Sequence, residues 1–220
     1  MSQNHFQIRH LIYIVTLSAI SIVVGLIEIP WGMIIPNAGF LKLDFSEVII
    51  LVSLVLLGTK NTFFVILLRS IARRLVMGMG PDQWLGEGLA ILASLSIILA
   101  YWIVLFIFKR TERPLLKHDD VDLSVSWKEW LIGTTLITIS LTVVLFTVNF
   151  FLTTPLYFGI LGDNTYTFAG IMAGESLWYP NLSDYISFTI ISYIPFNLVK
   201  GILVSSIFFM VKPYLKAIKF

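Results

Sequence analysis

Four stretches of this chain run for about twenty residues or more with at most one charged side chain each: Leu11 to Ile29, Trp84 to Phe108, Trp130 to Leu152 and Tyr185 to Val211. A bilayer core of about 30 Å is crossed by about 20 apolar residues at 1.5 Å each. Composition points the same way. The chain is 57% hydrophobic and only 13% charged, whereas soluble domains carry about a quarter charged residues, and its mean hydropathy is +0.90. A soluble fold of 220 residues has too little interior to hide that much apolar surface, so lipid must be the solvent for much of it. The expected fold class is therefore an all-α integral membrane protein, with residues 1–220 forming a single transmembrane domain. No small-residue cleavage site follows the first run, which reads as a retained helix rather than a signal peptide.

Two weaker segments bring the reading to six transmembrane helices. Phe45 to Gly58 is short, and Thr62 to Met77 is interrupted by charge. Breakers separate the spans: Pro30-Trp31-Gly32, a tight turn at Thr59-Lys60-Asn61, and Gly78-Met79-Gly80-Pro81. A charged loop spans Lys109 to Lys128, and a polar and aromatic loop spans Thr153 to Asp184. With both termini cytoplasmic, the inner segments hold Arg9, Lys60, Lys109, Arg110, Arg113, Lys117, Lys128, Lys212, Lys216 and Lys219. The outer side holds Lys42, Arg69, Arg73 and Arg74. That bias is the positive-inside pattern, and the outward arginines are its anomaly. The chain has no internal repeat of the kind that marks a self-sufficient alternating-access carrier.

Several functions are excluded early. A net charge of +2 from scattered basic residues argues against nucleic acid. The absence of cysteine removes disulfides, thiolate metal sites and cysteine nucleophiles. No Walker A motif is present, so this chain does not hold ATP in that way. His5, His10 and His118 fall in predicted tails or loops, and no serine has a His/Asp set within the membrane. Neither a metal site nor an enzyme is expected.

Polarity inside the apolar runs is what the sequence offers instead. Asn149 lies near the outer end of the fifth span; Asn197 and Lys200, three apart, share a face of the sixth. A lysine at such depth is costly unless paired, solvated or able to snorkel, so these residues are candidate ligand contacts. The structural alternative is that they join helices or meet a carboxylate such as Glu87. Arg69 and Arg73, four apart, share a face of the third span, and an anionic substrate would explain them. The alternative for Arg73 and Arg74 is snorkelling to headgroups. Asp44 or Ser46 would cap the second helix, with Glu47 suiting its positive end, a structural role preferred here to ligand contact. The aromatics Tyr157, Tyr166, Phe168, Trp178 and Tyr179 suit an interfacial belt or a lid, and the length of their loop favours the lid.

Three of these segments resemble one family. Phe40-Leu-Lys-Leu-Asp-Phe-Ser-Glu47-Val resembles the motif that opens helix two in substrate-binding (S) subunits of energy-coupling-factor (ECF) vitamin transporters, the riboflavin-type branch above all. Asn149 followed by Thr-Pro-Leu-Tyr157, and Ile-Pro-Phe-Asn197-Leu-Val-Lys200-Gly, are similar to that branch's fifth and sixth helices. The resemblance covers nearly the whole chain. It implies a multi-pass protein of the cell membrane that binds a vitamin and works with a transmembrane coupling subunit and two ATPase subunits, which hydrolyse the ATP. This chain would then need no cofactor of its own. By the same resemblance Asn149, Asn197 and Lys200 are pocket residues, and small residues at i and i+4 on helix one, here Val15 and Ala19 with Ser18 and Gly25 nearby, pack on the coupling subunit.

The chain departs from the branch where Arg69-Ser70 replaces a usual Lys-Asn, and where Glu87, counted with the others as a candidate substrate contact, stands near a usual Asn. Those changes turn the expected substrate towards pantothenate, whose carboxylate needs a cation, with Arg69 as first choice. Riboflavin is the alternative, since Asn149, Asn197 and Lys200 are retained. A stand-alone secondary carrier, with Glu28, Glu87 and Lys200 as its ion-coupling candidates, is the alternative of another class.

Overall fold

The computed structural model describes residues 3–35, 38–111, 114–118 and 120–218. Arg113 and Lys219, counted above in the charge bias, lie outside the described residues, as does the His5 side chain. The chain is a helical bundle. In order come α1 (Gln3–Leu26), a two-residue hairpin pairing β1 (Ile29–Pro30) with β2 (Lys42–Leu43), α2 (Ser46–Leu57), α3 (Thr59–Met77) and α4 (Pro81–Ile107). Next are α5 (Trp127–Val148), which continues through a π turn (Asn149–Thr153) into α6 (Thr154–Ile160), then α7 (Phe168–Met172) and α8 (Leu182–Val211), which ends in a 3-10 turn (Lys212–Ile218). Among the described residues, four helical segments are long and apolar enough to cross a membrane: Ile8–Leu26, Pro81–Ile107, Trp127–Ile160 and Leu182–Ala217. α2 is apolar but has 12 residues, and α3 carries the basic residues that interrupt its hydropathy.

Several expected boundaries move, α4 starting at Pro81 and α8 at Leu182, and three of the shifts have a clear local reason. Thr59-Lys60-Asn61 is not a turn: α3 begins at Thr59, and the reversal is made by Gly58 alone at φ 77, ψ 168, a conformation open essentially only to glycine. The fifth span does not stop at Leu152. Its helix runs on to Ile160 because Pro155 falls in the first turn after the π segment, where a missing N–H is tolerated. The loop read as beginning at Thr153 therefore begins after Ile160. The helix expected from Trp130 starts at Trp127, where Ser126 Oγ accepts the Glu129 N–H at 3.1 Å, half of a capping box.

α2 is the centre of the bundle, with eleven of its twelve residues buried. It packs on α1 and α3 on one side and on α4 and α8 on the other. A helix leaves its last four carbonyls without intrahelical partners, and in α2 all four are satisfied. Leu54 O accepts from Gly58 N, Val55 O from Leu115 N, Leu56 O from Leu116 N, and Leu57 O from Asn61 Nδ2. The charged loop after α4 thus tucks in to close the end of α2, burying Leu115, Leu116 and Leu123. It is tied down by Arg110, whose guanidinium reaches Glu129 (3.2 Å), itself bonded to Lys212 (2.6 Å).

α5 and α8 cross in close contact. A Cβ on Gly201 would lie 2.7 Å from Thr138 Cα, and one on Gly133 would run into the Phe209 ring. Small residues permit such approach, and it fixes the two helices that carry Asn149, Asn197 and Lys200.

Candidate functional site

At the end of the bundle where α3 stops and α8 starts, a cavity of about 450 Å³ opens between α3, α4, α5, α8 and the hairpin loop. That volume lies within the range of small-molecule sites. Five of the six expected ligand residues line it: Asn149, Asn197, Lys200, Arg73 and Glu87. Arg69 does not. It is fully buried, donating to Ser46 Oγ (3.4 Å) and Ala90 O (3.3 Å), and so it stitches α2 to α4 beneath the cavity.

The lysine forms the core of the site. Lys200 Nζ stands 3.0 Å from Glu47 Oε1 and 3.6 Å from Asp44 Oδ2. It is therefore paired across α2 and α8 and not with Glu87, which instead accepts from Arg74 Nε at 3.1 Å. The cap position of α2 falls on Phe45, which makes no side-chain cap bond, and not on Asp44 or Ser46; Asp44, one residue earlier, accepts the Ser46 N–H at 2.9 Å and holds Lys200 as well. Burial pushes the Asp44 carboxyl up, but the Lys200 ammonium and the two Ser46 hydrogen bonds outweigh it and hold the group below the usual carboxylate range.

The other arginines are not at headgroups. Arg73 is buried, with Nη2 2.6 Å from Glu28 Oε1 and 3.3 Å from Gly25 O. Arg74, also buried, adds a hydrogen bond to Gln83 Oε1 at 3.1 Å. Lys42 reaches the second oxygen of Glu28 at 2.7 Å, made possible by the Pro30–Lys42 register of the hairpin. The lining acids are Glu28, Asp44, Asp82 and Glu87, and the lining bases are Lys42, Arg73, Arg74 and Lys200. Four of each leaves no net charge.

Two helix irregularities shape the wall. The π turn at Asn149 lets its Nδ2 donate to Leu145 O (2.8 Å) while its Oδ1 accepts from Thr153 (2.6 Å); such bulges concentrate at functional sites. Pro195 lies inside α8, where it removes one backbone donor two residues before Asn197, whose Nδ2 is buried without a hydrogen-bond partner. A buried donor in that state calls for a partner, whether a ligand group or a water.

Aromatic lining residues were mostly missed by sequence reasoning. Of the loop aromatics, Tyr157 alone lines the cavity, while Tyr166 and Trp178 are exposed and Phe168 and Tyr179 join a cluster with Phe158 and Tyr185. Tyr193, bonded to Thr154 at 2.6 Å, and Phe196 also line it, as does Phe40, which joins α6 to α8 by packing on Tyr157 and Tyr193. Their aromatic character in a polar neighbourhood was the only available signal. Val15 and Ala19 are exposed on α1, whereas Ser18 and Gly25 face inward, Ser18 bonding Ile14 O and Gly25 touching Ser46.

Comparison with known proteins agrees with this geometry. The family model "ECF transporter, substrate-specific component" matches residues 9–212. The riboflavin transporter RibU of Streptococcus thermophilus is 29% identical over 96% of this chain and 84% of that protein. RibU of Leuconostoc mesenteroides is 30% identical over 86% of this chain and 82% of its own length, and RibU of Lactococcus lactis is 26% identical over 91% and 89%. A solved S component of a bacterial ECF transporter superposes with a TM-score of 0.61 at 27% identity, covering 96% of this chain and 98% of that one. The chain belongs to the family of ECF-transporter substrate-specific components, multi-pass proteins of the cell membrane and not enzymes.

Proposed function

We propose that this chain is the riboflavin-binding S subunit of an ECF-type importer. In this reading it crosses the membrane six times with both termini in the cytoplasm, and a membrane coupling subunit and two ATPase subunits supply the energy. The observation that carries the riboflavin reading is the closed charge balance of the cavity. Lys42 and Arg73 face Glu28, Arg74 faces Glu87, and Lys200 faces Glu47 and Asp44. A pantothenate carboxylate would need a cation, since burying it unpaired costs several kcal/mol or more, and each lining cation already has its carboxylate. Arg69, the cation first expected to serve pantothenate, is absent from the lining. Riboflavin is neutral and makes no such demand. The three relatives named RibU support the same choice, so the pantothenate expectation gives way.

Titration of the purified chain with each vitamin tests this. Riboflavin is expected to bind tightly and pantothenate to show no saturable binding; the reverse result would overturn the assignment. The partner surface has its own test. Ala19 is exposed on α1, so Ala19→Trp is expected to weaken assembly with the coupling subunit while riboflavin affinity stays within about twofold, because surface substitutions away from such features usually change stability by under 0.5 kcal/mol. Equal loss of both would make this face part of the fold.

A further inference from the structure

Glu87 is 2% exposed on α4 and lines the cavity. Its two oxygens are in different states. Oε2 accepts from Arg74 Nε at 3.1 Å, whereas Oε1 is buried with no hydrogen-bond partner. Asn197, 1% exposed on α8, likewise lines the cavity with its Nδ2 unpartnered. Among the described lining residues the unused groups are therefore two donors, Asn197 Nδ2 and Arg73 Nε, and one acceptor that is not already facing a cation, Glu87 Oε1. A buried polar group left unpaired is costly, and that cost is relieved when a ligand group or a water supplies the missing partner. A carboxylate oxygen accepts and never donates, so the group that meets Glu87 must be an O–H or an N–H.

We propose that Glu87 determines specificity in this cavity: it accepts a hydrogen bond from an O–H or N–H of the ligand, and by neutralising Arg74 it excludes anionic ligands. This deepens the riboflavin reading and rests on it. A flavin carries both kinds of group asked for, carbonyl acceptors for Asn197 and, as donors, an imide N–H and ribityl hydroxyls. A ligand carboxylate at the same place would face the Glu87 charge, and the Arg74 guanidinium that would otherwise attract it already has Glu87 and Gln83 as partners. Removing the Glu87 charge leaves the lining with one more base than acid, so neutral and anionic ligands should respond in opposite directions. A residue that only neutralised Arg74, without touching the ligand, would gain the anion on substitution but leave riboflavin affinity unchanged.

The test uses the full chain in detergent, titrated with riboflavin, pantothenate, 3-methylriboflavin (no imide N–H) and lumiflavin (no ribityl hydroxyls). On the wild type, at least one of the two analogues should bind about tenfold or more weaker than riboflavin, and that analogue identifies the donor. Both binding as tightly as riboflavin would overturn the proposal without recourse to any variant. Glu87→Gln should weaken riboflavin about ten- to a hundred-fold, as expected for loss of a charge-assisted hydrogen bond. The same variant should gain measurable pantothenate binding, while Glu87→Asp, which keeps the charge, continues to exclude it. Unchanged riboflavin affinity in Glu87→Gln, or loss of riboflavin with no gain of pantothenate in a variant that unfolds at the wild-type temperature, overturns the role of Glu87 and leaves the riboflavin reading standing. Tight pantothenate binding by the wild type overturns both.

Discussion

Lys200→Met should abolish riboflavin binding and lower the unfolding temperature sharply. The Lys200 ammonium is held between Glu47 at 3.0 Å and Asp44 at 3.6 Å, and all three side chains are buried. Removing one partner of a buried ion pair costs about 3–5 kcal/mol because the remaining charge is left uncompensated. Here two carboxylates would be left side by side, repelling each other. Methionine keeps most of the volume, so a cavity is not the cause of the loss. The double variant Lys200→Met with Glu47→Gln removes one of the stranded charges and should recover most of the unfolding temperature. It should not recover riboflavin affinity if the ammonium also touches the ligand. Thermal unfolding and riboflavin titration of wild type, single and double variants separate the two roles. A single variant that unfolds and binds like wild type would show that the ion cluster contributes neither.

Gly201→Val is expected to be nearly as damaging, for a steric reason. A Cβ at Gly201 would sit 2.7 Å from Thr138 Cα and 2.9 Å from its hydroxyl, and a backbone atom inside a helix cannot turn aside as a side-chain tip can. α5 and α8 must move apart. Overpacking of this kind costs about 1–3 kcal/mol, occasionally more, and the same movement displaces Asn149 relative to Asn197 and Lys200. Misplacement by about 1 Å in a preorganised site is enough to lose about a hundredfold in function, so riboflavin affinity should fall by about that factor. Gly88 is the control, since a Cβ there meets nothing within 4 Å, and Gly88→Val should leave binding unchanged. Equal behaviour of the two variants would mean that the crossing does not set the pocket.

The residues that sequence reasoning brought to the site share one property: each is a polar group placed within a strongly apolar run. Asn149, Asn197 and Lys200 are conspicuous for that reason, and they do converge on the cavity. Pairing was not legible. Nothing in the chain says that Lys200 meets Glu47 and Asp44 while Glu87 meets Arg74, because those partners are chosen by how α2, α3, α4 and α8 pack. Arg69 and Arg73 share a helix face, yet a difference of one turn puts Arg73 at the cavity and Arg69 beneath it. The four long spans were readable from hydropathy. The continuation through Pro155 to Ile160 was not, since proline and threonine signal a stop and only the π turn makes room for them.

Twelve residues extend about 18 Å along a helix axis, well short of a bilayer core of about 30 Å, and α2 has only that length. Lipid nevertheless has almost no access to it, for its sides are covered by four helices and its last carbonyls are closed by Leu115 and Leu116. Membranes of different thickness act on helices through the length of apolar surface that they expose, by tilt or local stretching of the bilayer. α1, α4 and α8 feel that force, and α2 does not. The residues at its start, Ser46 and Glu47, therefore form a mechanically insulated floor for the binding site, one that should hold the same ligand geometry in a thin bilayer as in a thick one.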